Sequence, residues 1–114
     1  ADAYCARILG VAAQNPDVEL EITGGINRPP YQKNAGIQSL FEHARDVCAE
    51  IGFELQDMHT GGGSDGCFTA ALGIPTLDGL GADGVGAHAK NEQIYFSSLE
   101  PRAKMWIRLL ETLE

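Results

Sequence analysis

The chain predicts an α/β fold, on three features of its 114 residues. VELEIT, residues 18–23, alternates apolar Val18, Leu20 and Ile22 with Glu19, Glu21 and Thr23, the period of a strand with one wet face. From Asn34 to Ile51 the apolar residues instead recur at helical spacing. Two short runs, FELQDM and PTLDGL, then each neighbour a glycine-rich loop. Helix, strand, helix, strand is the order of an α/β layer with parallel strands, whose sites lie in the loops at the strand C-terminal ends.

Each element follows from local chemistry. Tyr4, Ile8, Leu9, Val11 and Ala12 give residues 2–14 a helical apolar face, and Asn15, Pro16 and Asp17 end it. After the wet-faced strand, which belongs at an antiparallel or peripheral position, GGINRPPYQKN holds Gly24, Gly25, Pro29 and Pro30, which oppose helix and ladder alike. This connector is a domain boundary. Ile37, Leu40, Phe41, Ala44, Val47, Cys48 and Ile51 form the stripe of the next helix, and Gly52 stops it. FELQDM is a short strand, TGGGSDG a tight loop with Ser64 as cap, and CFTAAL a helix closed by Gly73. Pro75 starts the strand PTLDGL. Ser97 or Ser98 caps a final helix striped by Leu99, Ala103, Trp106, Ile107, Leu110 and Leu113.

Composition excludes several classes. No apolar run approaches the roughly 20 residues of a membrane-spanning helix. With 16 acidic against 8 basic residues and a net charge of −8, the chain has no Lys/Arg cluster with which to neutralise a phosphate backbone, so nucleic acid is not an expected partner. Cys5, Cys48 and Cys67 are odd in number and set among apolar residues, which reads as buried reduced thiols and fits a cytoplasmic setting. Ala1 is neither a methionine nor the start of a signal peptide, and the opening residues read as the middle of a helix, so the N-terminus is expected to be a cut.

GLGADGVGAHAKNE, residues 79–92, sets Gly79, Gly81 and Gly84 at the G-x-G-x-x-G spacing of a dinucleotide cradle. That fingerprint needs a helix starting at the glycines and an acidic residue about 20 positions on, and neither is there. A metal loop presenting His88 is the other reading, although one histidine is fewer than the three or four ligands of a zinc site. GGGSDG lacks the lysine of a phosphate loop, but it places backbone N–H groups at a helix start, where a carboxylate could sit. Arg28, beside Pro29 and Pro30, carries a planar fork that matches a carboxylate bidentately. His43 lies off the apolar face of its helix and reads as solvated, whereas His59 precedes the GGG loop and could face a site.

NRPP, then HTGGGSDGCFTAALGIPTLDGLGADGVGAH, then the SLEPRAKMWIRLLETL helix together resemble one family across the whole chain. They look like the C-terminal third of the two-zinc amidohydrolases that include glutamate carboxypeptidase, aminoacylase and succinyl-diaminopimelate desuccinylase, and they are nearest to the glutamate carboxypeptidase-like branch. The resemblance implies a zinc-peptidase-like catalytic domain with a mostly parallel sheet, carrying an inserted ferredoxin-like lid that often dimerises. Residues 1–26 then correspond to the last helix and strand of the lid, and residues 27–114 to the C-terminal part of the catalytic domain. His88 matches the family's last zinc ligand. Arg28 matches the lid arginine that holds the substrate carboxylate, and Gly62, Gly63 and Ser64 match the loop lining the same pocket.

The implied activity is hydrolysis of an amide bond next to a carboxylate-bearing amino acid, in a small peptide or an N-acyl amino acid. In that family, water bound to zinc and activated by a glutamate attacks the amide carbonyl. The remaining zinc ligands and the general base would lie before Ala1, so no catalytic residue is assigned here and the isolated 114 residues are expected to be inactive. A piece of this kind exposes faces that would otherwise be covered, which predicts a homodimer or other self-association. The alternative is a non-catalytic α/β interaction module derived from the same fold.

Overall fold

The computed structural model describes residues 1–113. Its elements are α1 (Asp2–Leu9), α2 (Ala35–Glu50), α3 (Gly66–Ala71), β1 (Gly84–Val85), β2 (Gln93–Ile94) and α4 (Phe96–Thr112).

Helix α2 forms as its sequence demands. Asn34 Oδ1 accepts the Ile37 amide at 2.9 Å and caps the first turn. At the other end Gly52, with φ 75°, turns the chain so that its own N–H donates to Ala49 O and the Phe53 N–H to Cys48 O. Those two bonds satisfy carbonyls that a helix end leaves unpaired, and the left-handed backbone suits glycine. α3 ends the same way: Gly73, at φ 81°, donates to Ala70 O and Ile74 N to Thr69 O.

The core lies where α2 crosses α4. Ala44, Val47 and Cys48 of α2 pack with Met105 and Leu109 of α4 in one buried cluster, flanked by Ile51, Phe53, Leu55, Leu77 and Leu80. His43 Nε2 lies 2.8 Å from Thr112 Oγ1 at the edge of this contact. His43 is thus half-buried and hydrogen-bonded rather than solvated, because the end of α4 reaches back over that turn of α2.

The apolar stripe expected on α4 is not the one it buries. Leu99, Trp106, Ile107, Leu110 and Leu113 all lie exposed, Leu110 by 74%. α4 is apolar on two sides, and α2 docks on the side holding Met105 and Leu109. Nor does Ser97 or Ser98 cap the helix with a side chain. Tyr95 is the N-cap, and Ser98 Oγ instead donates to Tyr95 O at 2.6 Å and accepts the Asp83 N–H at 3.0 Å.

The expected parallel strands form no ladder among the described residues. The one sheet present is the antiparallel pair β1–β2, with Gly84 opposite Ile94 and Val85 opposite Gln93. FELQDM and PTLDGL run outside any strand, although Phe53, Leu55, Leu77 and Leu80 pack onto the core as strand residues would. VELEIT is likewise outside any strand and largely exposed. Alternation marks which side chains can share a face, but a strand exists only when a neighbour takes its N–H and C=O groups.

The N-terminal helix is also shorter than residues 2–14, ending at Leu9, and it buries no side chain. Cys5 is half-buried, whereas Cys48 and Cys67 are buried; all three are free thiols. The Cα radius of gyration is 19.3 Å and the longest dimension 64 Å. A compact domain of roughly 100 residues has a radius near 13 Å, so this chain is drawn out, with apolar surface on α1 and α4 left open. No helix among the described residues is long and apolar enough to cross a membrane.

Candidate functional site

The connector and the GGGSDG loop meet through Arg28. Its Nη2 donates to Asp65 Oδ1 at 2.9 Å, bridging 37 positions of chain. The guanidinium carbon stands 5.3 Å from the centroid of the Phe68 ring, the distance of a cation–π contact. Its aliphatic stem passes close over the loop: a Cβ built on Gly63 would lie 3.2 Å from Arg28 Cδ. A side chain at position 63 would therefore require the arginine stem to shift by a few tenths of an ångström.

The loop holds its shape by short-range bonds. Gly62 N donates to Thr60 Oγ1 at 3.2 Å and Gly66 N to Ser64 Oγ at 2.9 Å. Ser64 thus braces the first turn of α3, but it is not the cap expected of it: the N-cap is Asp65, one residue on, and no side chain caps the helix. The Gly62 amide is already engaged, so the loop's amide chemistry toward a ligand falls to Gly63 and Ser64. Behind the loop, Thr69 and Thr76 hydroxyls meet at 2.9 Å and tie α3 to the run that follows it.

Tyr31 completes this corner. A Cβ at Gly66 would lie 3.7 Å from the Tyr31 hydroxyl and 3.1 Å from Thr76 Cγ2, so the tyrosine is lodged against the glycine-rich turn. Burial holds its hydroxyl above the ordinary phenol range, with the Asp78 carboxylate and then the Cys67 thiol adding to the shift. One turn of connector further on, Lys33 pairs with Asp57 and lies 4.2 Å from the Phe41 ring centroid. The lysine's hydrogen bond and charge hold the Asp57 carboxyl below its ordinary range.

His88 sits in a second, separately built loop. Gly84 pairs so closely with β2 that a Cβ there would lie 2.1 Å from Gln93 O, so only glycine fits. Gly86 turns at φ 72°, and His88 itself adopts φ 66°, a left-handed backbone uncommon for a side chain of that size. Ala89 N to Gly86 O at 2.9 Å and Tyr95 N to Asp83 O at 2.8 Å fix the loop at both ends. His88 is exposed, as is His59.

Of the residues singled out in the sequence, Arg28, Gly63 and Ser64 come together. His88 belongs to its own hairpin loop. Among the described residues no group of three or more His, Cys, Asp or Glu side chains is placed to hold a metal ion. The donors among the described residues therefore do not make up a zinc centre, and His88 offers one ligand at most. Phe68, Asp65 and Tyr31 were not legible as site residues. The only hint was that Asp65 and Phe68 stand one residue and four residues after Ser64, the expected cap, within reach of whatever faces that turn.

Helices, a short strand pair and two glycine-rich turns make this a segment of mixed α/β type. The family model for peptidase family M20/M25/M40 matches residues 7–112, and the chain belongs to that family. It is similar to carboxypeptidase G2 of Pseudomonas sp. (strain RS-16), with 33% identity over 99 residues. That match covers 85% of this chain and 23% of the relative, so the chain spans about a quarter of the relative's length. No solved structure matches the chain.

Proposed function

We propose that this chain supplies the carboxylate-gripping part of a metal-dependent carboxypeptidase or N-acyl amino acid hydrolase, acting on an amide bond next to a carboxylate-bearing amino acid. The observation that carries the reading is the placement of Arg28 over Gly63 and against Asp65, at the glycine-rich turn. A guanidinium fork and the backbone N–H groups of a glycine-rich turn are each complementary to a carboxylate. Membership of the peptidase family and similarity to a carboxypeptidase support the same class of substrate.

Within this reading His88 contributes one metal ligand, in the role that the family resemblance gives it, with zinc as the expected metal. When bound, the metal would polarise the amide carbonyl and lower the pKa of a water. Residues 1–26 act as the end of a lid and dimerisation domain, and residues 27–114 as part of the catalytic domain. The apolar side chains exposed along α1, among them Tyr4, Ile8 and Leu9, support self-association. A monomer at high concentration by light scattering would count against that part.

The test is an NMR titration of the 15N-labelled chain with N-acetyl-L-glutamate. The Arg28 Nε–H and the Gly63 and Ser64 amides should shift saturably, and Arg28→Gln should abolish the response. Equal binding by Arg28→Gln overturns the proposal. Hydrolysis of N-acyl-glutamate is expected to be absent for these residues alone, since one histidine does not hold a catalytic metal; metal-dependent turnover by the isolated chain would overturn that expectation.

A further inference from the structure

The side chain of Phe68 has a place that core packing does not explain. α3 buries Cys67, whereas the Phe68 ring is left 43% exposed, next to the arginine. The ring lies 5.3 Å from the Arg28 guanidinium carbon, and Asp65 takes a bond from Nη2. Nε and Nη1 have no acceptor among the described residues.

We infer that Phe68 is a positioning residue for Arg28, an aromatic platform that holds the guanidinium in place while its Nε and Nη1 donors stay open to a ligand carboxylate. This rests on the reading of Arg28 as the carboxylate-binding residue. The physical basis is a division of labour within one side chain: the ring attracts the charge of the guanidinium, and the N–H donors in its plane remain available to acceptors. An arginine already seated on a ring loses less freedom when the ligand arrives, so the platform contributes to affinity without touching the ligand. Gly63 keeps the opposite requirement, since a Cβ there would crowd Arg28 Cδ at 3.2 Å.

The experiment titrates the 15N-labelled chain and its variants with N-acetyl-L-glutamate and with the corresponding diamide, following the Arg28 Nε–H and the Gly63 amide. Wild type should bind the acid and not the diamide. Phe68→Leu, which keeps an apolar side chain but removes the π face, should weaken binding about two- to fivefold, the fold-change of an exposed cation–π contact. Phe68→Tyr should restore wild-type affinity, a rescue that a purely space-filling role does not predict, given that the added hydroxyl changes the volume. If Phe68→Leu loses amide dispersion, Phe68→Met replaces it in the same comparison. Wild-type affinity in the apolar variant, or equal weakening in Phe68→Tyr, overturns the inference. If wild type fails to prefer the acid, or Arg28→Gln binds equally well, the carboxylate-binding reading itself falls. If Arg28→Gln loses binding while Phe68→Leu keeps it, only the role of Phe68 falls.

Discussion

Arg28 and Asp65 are joined by a 2.9 Å ion pair that spans 37 positions of the chain and fastens the proline-rich connector to the start of α3. The Asp65 side chain is largely exposed, so solvent screens the pair. Asp65→Asn should change thermal stability by less than about 1 kcal/mol, as surface pairs do. The difference between the two proteins should shrink further in high salt. Chemical denaturation at two ionic strengths checks this, and a large salt-independent loss would mean that Asp65 does more than pair with Arg28.

Gly84 is irreplaceable on steric grounds. A Cβ would lie 2.1 Å from Gln93 O, inside any possible contact distance, so Gly84→Ala must separate β1 from β2. The Tyr95 N–H, which bonds Asp83 O beside that pair, should lose its protection from hydrogen exchange. The core cluster is remote from this loop in composition, so amides of α2 should keep theirs. Unchanged exchange at Tyr95 would show that the hairpin tolerates the side chain.

Tyr31 should titrate above the ordinary phenol range. Burial, helped by Asp78 and Cys67, raises its pKa in the folded chain above the ordinary value of about 10. A raised folded-state pKa means that the folded chain binds this proton more tightly than the unfolded one. The stabilisation is fully present below about pH 10 and is lost as pH rises through the folded-state pKa. Ultraviolet phenolate titration of wild type and Tyr31→Phe checks it: the variant should lack the late phase and show a flatter fall in stability above pH 10.

Met105 is fully buried between α2 and α4. Met105→Ala should cost about 2–5 kcal/mol, combining lost transfer energy with an unfilled cavity. Leu110→Ala, on the exposed side of the same helix, should cost far less in a monomer. Denaturant midpoints of the two variants decide whether the buried side of α4 is the Met105 side; equal costs would mean that the exposed side is covered in solution.

These outcomes bear on what the sequence could disclose. α2 was legible almost completely, because Asn34, the stripe from Ile37 to Ile51 and Gly52 all point to one helix with one inner face. α4 was legible as a helix but not in its orientation. Leu99, Trp106 and Leu110 line up as well as Met105 and Leu109 do, and periodicity does not say which side has a neighbour. The extended runs failed for a related reason. VELEIT has the alternation of a strand, but a ladder needs a second chain segment, and that requirement is not written in the six residues.

In the site, chemistry was legible and pairing was not. An arginine stiffened by two prolines and a glycine-rich turn both announced an affinity for anions. That Arg28 would lean on Phe68 and bond Asp65 depends on how the connector folds over α3, which no local pattern encodes. The His43–Thr112 contact, across 69 positions, was hidden in the same way.

The crossing of α2 and α4 also has a topological consequence. Residues 51–95 leave one helix and return to the other, so that single buried contact closes a long loop, and the closure entropy is borne there. Both glycine-rich loops, the GGGSDG turn and the one presenting His88, hang within that circuit. The seam around Ala44 and Met105 therefore works as a clasp, and the two loops share its fate: what loosens the clasp frees them together.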